Sequence, residues 1–464
     1  MPPEGLRLEQ APPIAVPFRF FLTAPVFLLA AAALLAWTGA ETLGARATPA
    51  ALAIAHLATL GYMGMVMIGA MLQILPVLAG ATVPGVGVVG AATHALLALG
   101  TAALAGGFFL GQPLLLKAGA WALGGAFVVF LASAGAALAR GAARSSTVTG
   151  IALAALSLAV TVALGLMLVA MHAWGVPPAS FAIRELHPAW GLAGWTGLLV
   201  SGVAYQVVPM FQMTPPYPPG MTRWFPAVVF ALLVAWSAAS WHGELPTVAI
   251  ALGVFIALAY LGFAVTTLAL QLQRRRRVPD ATLAFWQLGM ASLACACMAW
   301  GVRLEWPGAP EALDLTIGVL VLVGAAVSVI AGMLYKIVPF LGWFHLQATV
   351  GPKGAPHMKK FLGDSPQQLH LRVHVLAVAF LVAAAWWPMP LVYVAAVALA
   401  ASALVQLRNL SGAARFYRGS LHQASVAQGG QAERALRGEE GEPGRGDRRP
   451  GPEPERDQRP ARHE

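Results

Sequence analysis

The stretch Gly61-Tyr-Met-Gly-Met-Val-Met-Ile-Gly69-Ala-Met-Leu-Gln73-Ile-Leu-Pro76 decides the fold, because its skeleton returns twice. Two glycines are followed by a polar residue and then a proline at fixed spacing. The second copy runs through Gly194, Gly202, Gln206 and Pro209, and the third through Gly324, Gly332, Lys336 and Pro339. The copies start about 130 residues apart, each inside a long apolar run. A period of that length in an apolar chain marks an architecture built three times. The glycines let neighbouring helices approach closely. The proline frees a carbonyl one turn earlier and is expected to kink the helix.

The composition agrees with a membrane protein. Apolar residues make up 58% of the chain and charged residues 10%, where a soluble chain carries roughly 25% charge. Mean hydropathy is +0.71. Runs of about 20 apolar residues, each long enough to span the hydrocarbon core, lie near 17–38, 50–79, 87–110, 114–139, 148–174, 187–213, 225–242, 246–271, 281–302, 314–345, 369–387 and 389–407. The first begins near Pro17 after a polar start and reads as a full span, not a cleavable signal. The repeats fall on spans 2, 6 and 10. The chain therefore reads as an all-α integral membrane protein of about twelve transmembrane helices, arranged as three pseudo-repeats of four.

The net charge of +10 reflects topology and not nucleic-acid binding. With the N-terminus in the cytoplasm, cytoplasmic loops receive Arg140, Arg144, Arg223, Arg274 to Arg277, Lys353, Lys359, Lys360, Arg408, Arg415 and Arg418. The opposite side receives only Arg46, Lys117, Arg184 and Arg303. The positive-inside rule places both termini in the cytoplasm of a bacterial inner membrane. Residues 1–16 read as a cytoplasmic segment, 17–410 as the membrane domain and 411–464 as a cytoplasmic tail. From about residue 420 the tail is rich in Pro, Gly and mixed charge, and is expected to be disordered.

No Asp or Glu falls in the middle of any span, which weighs against a proton-coupled transporter, since these commonly rely on intramembrane carboxylates. Lys336 is the clearest intramembrane charge. Snorkelling explains it, although its register with Gln73 and Gln206 suggests a polar ring in the repeat helices. Cys295 and Cys297, at i and i+2 of one apolar helix, point to different faces and read as small buried side chains. The methionines of span 2 (Met63, Met65, Met67, Met71) read as packing.

Histidines carry most of the chemical content. His56 opens span 2, His187 opens span 6, His172 closes span 5 and His242 closes span 7, all on the periplasmic side of this topology. Neutral imidazole is a common ligand for haem iron and copper. His56 and His187 stand out because each heads a repeat helix, 20 and 22 residues before the repeat proline. They are the candidate cofactor ligands, with His187, His242 and His172 as candidate metal ligands. His94 has no partner evident in the sequence. His345, His370 and His374 lie at the opposite membrane side, where the last two, flanking Arg372, read as an interfacial basic face.

On the threefold repeat, on His56-Leu-Ala-Thr-Leu-Gly61 and on His187-Pro-Ala-Trp-Gly-Leu-Ala-Gly194, the chain resembles subunit I of the haem-copper oxidase superfamily, which includes the nitric oxide reductases. The resemblance covers roughly residues 17–410. It implies a bundle of three four-helix arcs, with His56 in the place of a low-spin haem ligand and His187 in the place of a copper ligand. The family's two adjacent copper histidines after the seventh helix are represented only by His242. Span 10 holds no histidine where the family supplies axial ligands to both haems, so a two-haem, one-copper centre is not carried over. The chain also looks somewhat like the NnrS-type haem- and copper-containing membrane proteins linked to nitric oxide handling.

The resemblance implies haem and/or copper near the periplasmic face, electron transfer or nitric oxide and oxygen-related respiratory chemistry, and a cytochrome or other redox subunit as partner alongside the bilayer. A permease for a small solute and a cofactor-free scaffold or assembly subunit stand as alternatives.

Overall fold

A computed structural model describes residues 11–80, 82–141, 145–275, 278, 280–306, 308–351 and 354–436. Twelve helices are long and apolar enough to cross a membrane: α1 (Ala15–Leu43), α2 (Pro49–Val77), α3 (Val86–Leu110), α4 (Pro113–Arg140), α5 (Ser146–Trp174), α6 (Ile183–Gln212), α7 (Pro219–Trp241), α8 (Pro246–Leu272), α9 (Ala281–Glu305), α10 (Glu311–Val350), α11 (Asp364–Trp386) and α12 (Pro388–Val426). No strand occurs among the described residues. A helix satisfies all its backbone groups internally, which is what lipid demands.

Local signals set the ends. Proline occupies the first turn of α2, α4, α7 and α8, where its lacking N–H costs nothing. Thr48, Ser145 and Asp280 cap α2, α5 and α9 through their side-chain oxygens. Gly111 and Gly175, at φ 62° and 68°, end α3 and α5 in the left-handed conformation that glycine adopts without a Cβ clash.

The chain divides into two compact units at Tyr417/Arg418. The second unit is helical to Leu436, past the point near residue 420 where composition places the onset of disorder. Residues 437–464, on which most of the expected disordered tail falls, and residues 1–10 of the expected N-terminal segment lie outside the described residues.

The threefold repeat has a backbone signature that the sequence did not announce. In α2, α6 and α10 the α-helical pattern gives way to eight residues of π-helix: Leu57–Gly64, Trp190–Gly197 and Leu320–Val327. The first repeat glycine is the fifth residue of each segment. π-Turns are rare and concentrate at functional positions, so three at one register mark a shared architectural feature.

The glycines act as expected. A Cβ on Gly61 would collide with Phe27; one on Gly194 would lie 2.8 Å from Ser157, and one on Gly324 2.7 Å from Ser292. Eight residues further, a Cβ on Gly69 would lie 2.7 Å from Phe20, one on Gly202 3.2 Å from Gly150 and one on Gly332 2.8 Å from Phe285. Each repeat helix is thus pressed onto the helix before it: α2 on α1, α6 on α5, α10 on α9. The partner positions are seven residues apart in all three copies.

The repeats meet one another at three seams. The first and second meet at His56 with His187, and at Phe130 with Trp195. The second and third enclose a cavity between α6 and α10. The third and first join through Gln406 Nε2, which donates to Tyr62 Oη at 2.8 Å.

Candidate functional site

His56 is the last α-helical residue before the π segment of α2, and His187 precedes that of α6 by three residues. Their rings come together across the first seam, with centroids 6.2 Å apart and planes 19° from parallel. Each Nδ1 is tied back to a carbonyl: His56 to Leu52 O at 2.7 Å, and His187 to Thr161 O on α5 at 3.0 Å. A carbonyl only accepts, so both Nδ1 atoms carry the proton and both Nε2 atoms keep a lone pair. Neither Nε2 has a hydrogen-bond partner among the described residues. Metal-ligating histidines are oriented in the same way, one nitrogen held by an acceptor and the other left to bind.

Phe108 of α3 packs against His56, with ring centroids 5.4 Å apart and planes 30° from parallel. His172 reaches the edge of this group through Phe108, at 6.3 Å, but is exposed, with Nδ1 bonded to Leu168 O within its own helix. His242 caps the end of α7, exposed, and makes no contact with the pair. Among the described residues no three His, Cys, Asp or Glu gather closely enough to hold a metal ion. The donor set at this seam is therefore two imidazoles. His56 and His187 would be enough to hold haem iron, which needs few ligands from the protein and would supply one-electron chemistry. The pair suits a bare copper ion less well.

The three polar positions of the repeat do not bond to one another. Lys336 Nζ pairs with Asp280 Oδ2 at 2.6 Å, while Asp280 Oδ1 caps α9 through Thr282 N at 2.9 Å. One carboxylate thus joins α9 to α10 and takes the lysine as its partner. Gln73 is buried with Oε1 unpaired among the described residues, and Gln206 is partly buried. His94 finds Thr23 Oγ1 of α1 at 2.9 Å. Cys297 is partly buried, whereas Cys295, expected to be a small buried side chain, is exposed.

His370 and His374 differ most from the sequence expectation. They are 1% and 0% exposed, not interfacial. Asn409 Nδ2 donates to Tyr335 Oη at 3.0 Å and to Pro366 O at 3.0 Å. Tyr335 donates to His370 Nδ1 at 2.7 Å, and His370 Nε2 donates to Ser402 Oγ at 3.0 Å. Ser402 donates to His374 Nδ1 at 3.1 Å, His374 Nε2 to Ser328 Oγ at 3.0 Å, and Ser328 to Val323 O at 3.3 Å in the π segment of α10. An amide N–H at one end and a carbonyl at the other fix the direction of every bond between them. All four imidazole nitrogens are committed, so this pair has no lone pair left for a metal. The i, i+4 spacing was visible in the sequence; Ser402 and Asn409, from the interior of α12, were not.

The seam between the second and third repeats holds a different kind of space. A cavity of about 390 Å³ runs between α6, α7, α8, α9 and α10, lined almost wholly by apolar side chains. It adjoins a second of about 650 Å³ at the ends of α6 and α10. Two ion pairs line that outer space: Arg46 Nη2 to Glu185 Oε1 at 2.5 Å, and Arg303 Nε to Asp314 Oδ1 at 3.1 Å. The hydrogen bond to Glu185 raises the Arg46 pKa above its ordinary value, and the nearby Asp314 charge adds to the shift.

Compared with models of known protein families and with curated proteins, the chain matches none.

Proposed function

We propose that this chain is a multi-pass redox protein of oxidase-like architecture that holds haem, or less favourably copper, between His56 and His187, and serves electron transfer or nitric oxide and oxygen-related respiratory chemistry. The observation that carries this reading is the facing pair itself: two repeat helices bring two imidazoles to 6.2 Å, each with Nδ1 anchored and Nε2 free. When bound, the metal supplies one-electron exchange. The protein's part is orientation and packing. The carbonyls of Leu52 and Thr161 hold both rings in the binding tautomer, and Phe108 packs against His56.

The excess of Arg and Lys on one set of loops supports a cytoplasmic N-terminus, a bacterial inner membrane and a periplasmic-side centre. A cytochrome or other redox subunit docking on that side is the natural electron partner. The permease reading has less support, because the lysine of its polar ring is paired with Asp280.

The test is a reduced-minus-oxidised visible spectrum with metal analysis on the same detergent-purified sample, for wild type, His56→Ala and His187→Ala. The expected result is a haem signal in wild type that either substitution removes. A colourless, metal-free wild type that is folded and monodisperse overturns the reading and leaves a scaffold role.

A further inference from the structure

We propose that the seam between the second and third repeats is a binding site for a zwitterionic phospholipid with a primary-ammonium head, one acyl chain lying in the apolar cavity and the head at the ion-paired mouth. The two cavities share Glu185, Pro188, Leu192, Trp300, Ile317 and Val321, so they form one continuous space with a charged end and an apolar end. The inner part reaches along α6 from Glu185 to Val200, about 22 Å at 1.5 Å per residue. That length matches an extended acyl chain and exceeds most polar metabolites. Its deeper wall is apolar and aromatic, with Trp236, Tyr260 and Phe263. The Tyr260 hydroxyl is already committed to Ala193 O of the π segment, so the inner cavity offers an incoming ligand almost no hydrogen-bonding demand.

The mouth selects the head. Its lining carries two cations, Arg46 and Arg303, and two anions, Glu185 and Asp314, and sums to zero. An anionic lipid gains two guanidinium partners but sets its charge against two carboxylates. A zwitterion satisfies both signs: its phosphate takes a guanidinium, and its ammonium takes a carboxylate. A primary ammonium donates up to three hydrogen bonds, as a lysine does; a quaternary one donates none. The pairs are partly open, with side-chain exposures of 55% and 53% for Arg46 and Glu185 and 33% and 21% for Arg303 and Asp314. They are therefore accessible to a head group without being dismantled. The assignment does not depend on His56 or His187.

The experiment is thermal unfolding of the delipidated, detergent-purified full chain, followed by tryptophan fluorescence, with dioleoyl phosphatidylethanolamine, phosphatidylcholine or phosphatidylglycerol added at one mole fraction. The expected result is the largest rise in Tm with phosphatidylethanolamine, with about one such lipid retained per chain after washing. Ala257→Phe and, separately, Leu293→Trp fill the cavity and are expected to abolish the selective rise. Arg303→Gln/Asp314→Asn removes one ion pair without leaving a lone charge and is expected to level the three lipids. Either filled variant must elute as a folded monodisperse species for its result to count, which is why two are made. Equal responses to the three lipids in wild type, or an undiminished selective rise in both filled variants, overturns the proposal.

Discussion

Two pairs of histidines in this bundle have opposite chemistry, and the difference lies in what surrounds their second nitrogen. His56 and His187 come from different repeats, and each spends one nitrogen on a backbone carbonyl, leaving a lone pair on the Nε2 of each ring. His370 and His374 share one helix at a spacing that chelates metals elsewhere. Yet Tyr335, Ser402 and Ser328 occupy all four of their nitrogens. The first pair keeps two nitrogens without a hydrogen-bond partner among the described residues; the second is saturated and ties α10, α11 and α12 together. The i, i+4 spacing of the second pair can chelate a metal, but its hydrogen-bond inventory leaves no lone pair to do so, whereas that of the first pair does.

The largest expected effect follows from this contrast. His56→Ala should remove the cofactor signal entirely while unfolding close to cofactor-free wild type, because its ring is held by one intrahelical bond and packs at a partly open seam; spectrum and unfolding curves on the variant and on cofactor-stripped wild type check both halves. His374→Ala should do the reverse. It strands Ser328 and Ser402 in a fully buried cluster and leaves a cavity, a loss of about 2–4 kcal/mol, read as a lowered midpoint in a detergent unfolding titration. A His374→Ala protein as stable as wild type would erase the distinction between the pairs.

The seams give the next prediction. Gly194→Leu and Gly324→Leu each place a side chain where Ser157 or Ser292 already stands. Overpacking of this kind costs about 1–3 kcal/mol, and the loss should be partly recovered by Ser157→Gly and Ser292→Gly respectively. Failure of the paired substitution to recover any stability would mean that the helices do not meet at these glycines. The smallest effect concerns Asp280, which serves both Lys336 and the N-terminus of α9. Lys336→Met removes a partly exposed ion pair worth about 0–1 kcal/mol. Asp280→Ala also removes a helix cap worth about 0.5–2 kcal/mol, so it should be the more destabilising of the two when their unfolding midpoints are compared.

The sequence showed the twelve helices because lipid imposes long apolar runs, and it showed the threefold plan because glycine and proline recur at fixed spacing in α2, α6 and α10. It did not show the second half of each seam. Phe27 shares a structural position with Ser157 and Ser292 but not their chemistry, so no residue pattern links all three. The π segments were hidden for a related reason: each contains a tightly packed repeat glycine, Gly61, Gly194 or Gly324, but no residue type encodes a π-turn alone. At the site, heading a repeat helix was enough to single out His56 and His187, because equivalent helices of a pseudo-symmetric bundle end at the same level. His370 and His374 were misplaced because Arg372 between them suggested an interface, while the groups that bury them, Ser402 and Asn409, lie about 30 residues further along the chain. Lys336 was drawn toward Gln73 and Gln206 by register, and its true partner Asp280 sits in a loop outside the repeat motif.

The most direct test of the contrast is a side-by-side reduced-minus-oxidised spectrum of wild type, His56→Ala and His374→Gln, each verified as folded. The account predicts a haem signal in wild type and in His374→Gln, and none in His56→Ala. A signal that survives in His56→Ala but vanishes in His374→Gln would contradict it and move the centre into the third repeat, to the cluster that joins α10, α11 and α12.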